Sequence, residues 1–233
     1  MARRTLAFLA ILSLSLLASS VAAGGSSKSK SCGGSEFSYA GLQSENKAHG
    51  VSAKVVPLAT PSVAAGHVGA WIGVGGVDAG PHRTAEWIQI GYSAFPSDQT
   101  SRIYYEVTVA GSEPKYVELT ANVKPGEKHG FKVLEMATRS SWWRVWLDGK
   151  AVSPPIHLPG SHLAWYPQAM AESWNGNVGA CNTFHYGFSK ISLAQSNGGV
   201  WQPLKRSISF HDAGYRFVQT SRTPRKFLAA SLS

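Results

Sequence analysis

Short runs of alternating apolar and polar residues recur along the chain, separated by Gly- and Pro-rich clusters. The clearest runs cover 51–56, 67–74, 85–92, 102–109, 116–119, 131–137, 142–147, 169–174 and 184–193. Turn clusters at 75–76, 77–82, 125–126, 148–149, 154–155, 159–160 and 197–199 stand between or beside them. A period of two marks half-buried strands, and almost no window carries the 3.6-residue period of a helix. Many short strands with turns between them predict an all-β fold, an antiparallel β-sandwich or jelly roll. No internal repeat is evident, which argues against a propeller or solenoid.

Alternation also sorts the faces, because successive side chains of a strand point to opposite sides. Val68, Ala70, Ile72 and Val74 fall on one face, with Trp71 on the other between Gly69 and Gly73. Ile88 and Ile90 oppose Trp87 and Gln89, and Ile103, Tyr105 and Val107 oppose Tyr104 and Glu106. In the same way Trp143 and Val145 oppose Trp142, Arg144 and Trp146, while Ala169 and Ala171 oppose Met170, Glu172 and Trp174. The apolar sets predict the core. The opposite set is aromatic and polar, not the Lys, Thr and Glu of a plain solvated face. It predicts a groove for a long substrate, lined by Trp71, Trp87, Tyr104, Glu106, Trp142, Trp146 and Trp174.

The ends read differently. Residues 1–23 carry Arg3 and Arg4, a short apolar run and the small residues Val21, Ala22 and Ala23. That is the pattern of a cleaved secretory signal, and it predicts a secreted, extracellular protein with no membrane span after cleavage. Residues 24–50 read as a flexible leader, 51–204 as the sandwich domain and 205–233 as a basic C-terminal tail. The formal net charge is +9. The tail holds six Lys or Arg against one Asp, so the basicity belongs mostly to it. Such a tail suits an anionic cell wall. No nucleic-acid motif accompanies the charge, so no nucleic-acid partner is expected. The two cysteines, Cys32 and Cys181, form the even count that export favours for a disulfide.

Standard chemical motifs are absent: no G-x-S-x-G, phosphate loop, H-E-x-x-H or C-x-x-C. The eight histidines show no metal-ligand spacing, so neither metal nor other cofactor is expected.

Three fragments in order nevertheless carry a resemblance. The first is Ala70-Trp71-Ile72-Gly73 running on to Ile88-Gln89-Ile90-Gly91, the second Tyr105-Glu106, and the third Ala171-Glu172 followed by Ser173-Trp174. Together they resemble the glutamic peptidases, the eqolisin family. The resemblance implies a concanavalin A-like sandwich of two bent antiparallel sheets. It also implies a catalytic pair, Gln89 and Glu172, on the concave sheet. A carboxylate such as Glu172 can take a proton from water and return it to a leaving amine. A carboxamide such as Gln89 can donate to the oxyanion. The expected partner is an extracellular polypeptide or polysaccharide. The same groove would also suit a non-catalytic carbohydrate or cell-wall binding module, or a glycoside hydrolase working through Glu106 and Glu172.

Overall fold

The computed structural model describes residues 37–178 and 181–232. Cys32, expected to pair with Cys181, lies outside the described residues, as does the expected signal segment 1–23. No α-helix occurs among the described residues. In chain order the strands are β1 (Phe37–Ser44), β2 (Gly50–Pro57), β3 (His67–Gly76), β4 (Glu86–Ala94), β5 (Ser101–Thr108) and β6 (Lys115–Val123). They continue as β7 (His129–Glu135), β8 (Trp142–Leu147), β9 (Lys150–Ala151), β10 (Ile156–His157) and β11 (Gln168–Trp174). The last are β12 (His185–Ala194), β13 (Trp201–Pro203), β14 (Ser207–His211), β15 (Tyr215–Gln219) and β16 (Lys226–Ser231).

Two antiparallel sheets form a sandwich. The first runs β14-β1-β11-β3-β4-β5-β6 and the second β10-β8-β7-β2-β12-β16-β15, with β13 beside β12 and β9 beside β8. The core lies between them. Val68, Ala70, Ile72, Ile88, Ile90, Ile103 and Tyr105 meet Val51, Val55, Phe131, Val133, Trp143, Val145 and Phe188. Every residue assigned to the core face of β3, β4 and β5 by alternation is buried there, because successive side chains alternate and the aliphatic set of each strand points between the sheets. Tyr92 spans the layers: its hydroxyl donates to the carbonyls of Val55 (3.2 Å) and Glu127 (3.1 Å), and its ring meets Phe131 edge-on.

Both ends of the domain differ from expectation. The segment expected as a flexible leader contains β1, which lies inside the first sheet, paired to β11 and β14. Its small residues read as a linker, yet Ala40 and Leu42 alternate into the core. The basic tail supplies β14, β15 and β16. Phe227 is fully buried and stacks on Phe188, ring centroids 4.4 Å apart. Arg216, Arg225 and Lys226 point outward, so the cations that marked the segment as solvated are the solvent half of an alternating pattern.

One buried acid makes stability pH-dependent. Glu86, at the start of β4, is fully buried and accepts a hydrogen bond from the Gly160 N–H (3.1 Å). Burial raises its pKa above the ordinary 4.5, opposed by the Gly160 and Ala110 amides. The folded chain therefore binds this proton more tightly than the unfolded chain. That contribution is present below the unfolded pKa and is lost as pH rises through the raised one. Glu86→Gln removes the dependence. Urea unfolding across this range is expected to show the variant gaining on the wild type as pH rises, and parallel profiles would contradict the assignment.

Candidate functional site

Registers on the outer face of the first sheet place its side chains in rows across the strands. One row is Gln43, Gln168, Gly73, Gln89, Glu106 and Tyr116. The next is Gly41, Met170, Trp71, Gly91 and Tyr104, and the third Tyr39, Glu172, Gly69, Ser93 and Arg102. Phe37, Trp174 and His67 make the fourth. Glycines alternate with the large side chains for steric reasons. A Cβ on Gly91 would lie 2.7 Å from the Trp71 Cβ, and one on Gly69 would lie 3.1 Å from Glu172 Oε1.

Glu172 is held from β3. The Trp71 indole N–H donates to its Oε2 (2.8 Å), and His67 Nε2 lies 3.3 Å from its Oε1. Gln89 is held from β5: its Nε2 donates to the Tyr104 hydroxyl at 3.1 Å. The Trp87 indole N–H donates to Glu106 Oε1 (3.0 Å). The Tyr104 ring stacks on Tyr116 at 4.9 Å, and the Tyr116 hydroxyl meets Ser93 Oγ at 2.8 Å. Gln89 and Glu172 keep 8% and 7% of their surface, on the face away from the aliphatic core. Phe37 is exposed, and Tyr39, His67, Trp87, Glu106 and Trp174 are partly so, so the face forms a trough with a recessed polar floor.

Gln89 and Glu172 lie on β4 and β11, the two strands flanking β3. Two strand spacings, roughly 10 Å, separate those strands. No direct hydrogen bond joins the two side chains among those described; Trp71 and Tyr104 occupy the row between theirs. Electrostatics links the group. Burial raises the Tyr104 hydroxyl well above its ordinary pKa of 10.0, helped by the charges of Glu172 and Glu106. The Tyr39 hydroxyl rises for the same reasons, with Asp212 adding to it. Both phenols therefore stay protonated and able to donate. Burial also raises Glu106 above 4.5; the Trp87 hydrogen bond opposes that rise and the Glu172 charge adds to it.

Trp71, Trp87, Tyr104, Glu106 and Trp174 thus share the face of Gln89 and Glu172. Trp142 and Trp146 do not. Both sit on β8 of the second sheet, facing away from the sandwich on the opposite side of the molecule. There Trp142 stacks on His157 with Arg139 over its ring at 5.3 Å, and Lys132 lies over Trp146 at 5.2 Å. Alternation assigns the face of a strand but not the sheet it joins, which is why it puts these two in the groove.

The face also holds His67 and Tyr39, which alternation in the assigned runs does not single out. His67 has the parity of Trp71 in the same run, a signal present in the sequence. Tyr39 fell in the segment taken for a leader. The first polar row continues into a cleft of about 360 Å³ lined by Gln43, Gly75, Asp78, Trp165, Tyr166 and Gln168.

At the level of sequence no family model matches the chain, nor does any curated protein. Solved structures do. Scytalido-glutamic peptidase with a transition-state analogue inhibitor superimposes with a TM-score of 0.58 at 16% identity, covering 85% of this chain and 99% of that one. The same peptidase with a peptide-based transition-state analogue gives 0.56 at 16% identity, with the same coverage. The chain has the β-sandwich fold of the glutamic peptidases, as the three fragments on β3–β4, β5 and β11 imply.

Proposed function

We propose that this chain is a secreted endopeptidase that hydrolyses peptide bonds with Glu172 and Gln89. The observation that carries the reading is that both side chains, from distant parts of the chain, reach one recessed polar floor. A polypeptide would lie over β3 between them. Glu172 takes a proton from a water molecule, whose oxygen bonds to the scissile carbonyl carbon. The carbonyl oxygen gains negative charge. An amide nitrogen carries two hydrogens: one on Gln89 goes to Tyr104, leaving the other for that oxyanion. The C–N bond then breaks as Glu172 returns its proton to the leaving amine. Trp71 orients the Glu172 carboxylate through its indole N–H.

The test is cleavage of a denatured polypeptide by the purified chain, followed by mass spectrometry at acid and neutral pH. Gln89→Ala is expected to lower kcat roughly a hundredfold or more, the scale of one lost oxyanion donor. Trp142→Ala, on the other sheet, is expected to leave the rate unchanged. Absence of cleavage at any pH, with the fold intact, would sink the reading.

A second reading rests on the half-exposed aromatic group at one end of the trough, where Phe37 stacks near Tyr39 and Trp174 at 6.2 and 6.1 Å. Aromatic faces of this kind suit sugar rings, so the trough would retain a glycan. In that case binding survives Glu172→Gln and is lost in Trp174→Ala. A glycosidase would instead lose its activity in Glu106→Gln while tolerating Gln89→Ala.

A further inference from the structure

Three residues far apart in sequence meet at the end of β7 in the second sheet, outside the trough floor. His49 precedes β2, Glu135 ends β7, and His162 lies in the loop between β10 and β11. His49 Nδ1 is 2.5 Å from Glu135 Oε2, and His162 Nδ1 is 2.7 Å from Glu135 Oε1. The two imidazole rings stand 5.4 Å apart. One nitrogen from each histidine and a carboxylate oxygen all lie within 4.8 Å of one another.

Glu135 is fully buried, His49 nearly so, and His162 is exposed. A buried carboxylate needs positive charge beside it. Among the described ion pairs, Glu135 meets no Lys or Arg, only the two imidazoles. The surrounding backbone holds the group in place. The Ser141 N–H donates to Glu135 Oε1 at 2.6 Å, and the Glu135 N–H donates to the His49 carbonyl at 2.8 Å. A ligating carboxylate held by a backbone amide is the usual outer support of a metal site.

We propose that His49, Glu135 and His162 bind a divalent transition-metal ion, with zinc as the best fit. Two imidazoles and one carboxylate are a ligand set that zinc takes readily, with a water molecule completing four-coordination on the open side. Around such an ion, ligand atoms sit about 3.4 Å apart, given metal–ligand bonds near 2.1 Å. The 2.5 and 2.7 Å contacts must each widen by about 1 Å or less, which takes a turn of the His49 ring as well as movement of the exposed His162 on its loop. The ion takes the place of the direct imidazole–carboxylate hydrogen bonds.

Its effect on the fold is to pin the loop that carries His162. The same loop supplies Trp165 and Tyr166 to the cleft at the end of the trough. The site does not depend on the peptidase reading, since none of its ligands belongs to the trough.

The test uses the full chain without an affinity tag, stripped with chelator and titrated with zinc chloride, then with cobalt(II) as a spectroscopic probe. Expected are one saturable equivalent, visible absorption of four-coordinate cobalt and a raised melting temperature. His162→Ala is expected to weaken binding about a hundredfold while leaving the metal-free melting temperature nearly unchanged. His49→Ala should do the same to binding, and the exposed His162 keeps the test meaningful if the buried variants fail to fold. Absence of saturable binding, or binding undiminished in His162→Ala, would overturn the site and leave a hydrogen-bonded network only.

Discussion

Glu172→Gln should lower kcat/KM for an unstructured polypeptide by roughly a thousandfold, inside the 10²–10⁴ range that one positioned acid–base group supplies. The substitution keeps shape and volume. Its amide oxygen can still accept from the Trp71 N–H, which now donates to Glu172 Oε2 at 2.8 Å. The melting temperature should therefore move little, separating chemistry from stability. What the variant loses is the ability to accept a proton from water. Glu106→Gln is the informative companion. Glu106 accepts from Trp87, and burial, the first cause of its raised pKa, shifts its balance toward the protonated form. A glutamine imitates that form, so a loss of no more than about tenfold is expected on the scale of a single hydrogen bond. Reversed magnitudes, with Glu106→Gln inactive and Glu172→Gln active, would transfer the base role to Glu106 and defeat the peptidase assignment.

The strands that carry this pair were legible because each has a clean period of two. In β3 the aliphatics at 68, 70, 72 and 74 can bury together only if Trp71 faces the other way. The same parity placed Gln89 opposite Ile88 and Ile90. What alternation could not supply is the partner of each strand. β8 has as clear a pattern as β3, but its pairing with β7 and β10 puts Trp142 and Trp146 on the second sheet. β1 was obscured by its small residues and by the polar stretch before it. The outer strands of the tail were obscured by their own cations. The His49–Glu135–His162 group has no sequence signature, since 86 residues separate the first two and 27 the last two. Only the pairing of β2 with β7 brings His49 against Glu135.

The largest loss of stability should follow Trp143→Ala. Trp143 is fully buried on β8 and is among the largest buried side chains of the described residues. Its ring stacks on Trp165 at 6.1 Å, and its indole N–H donates to Ser161 Oγ at 2.7 Å. Truncation leaves a cavity between the sheets and the loop from β10 to β11, at a cost of about 3–5 kcal/mol. Trp143→Phe separates the two contributions. It keeps most of the apolar contact but removes the donor to a buried hydroxyl, for about 1–2 kcal/mol. Ser161 Oγ itself donates to the Leu158 carbonyl (2.6 Å), so loss of the indole loosens the turn that carries His162 and, beyond it, Trp165. Urea unfolding gives the global cost. Amide hydrogen exchange at Ser161 and Ala164, whose N–H groups bond the Leu158 and Ser161 carbonyls, gives the local one. A cost below about 1 kcal/mol for the alanine variant would mean that the loop collapses into the space and that Trp143 is not what holds it.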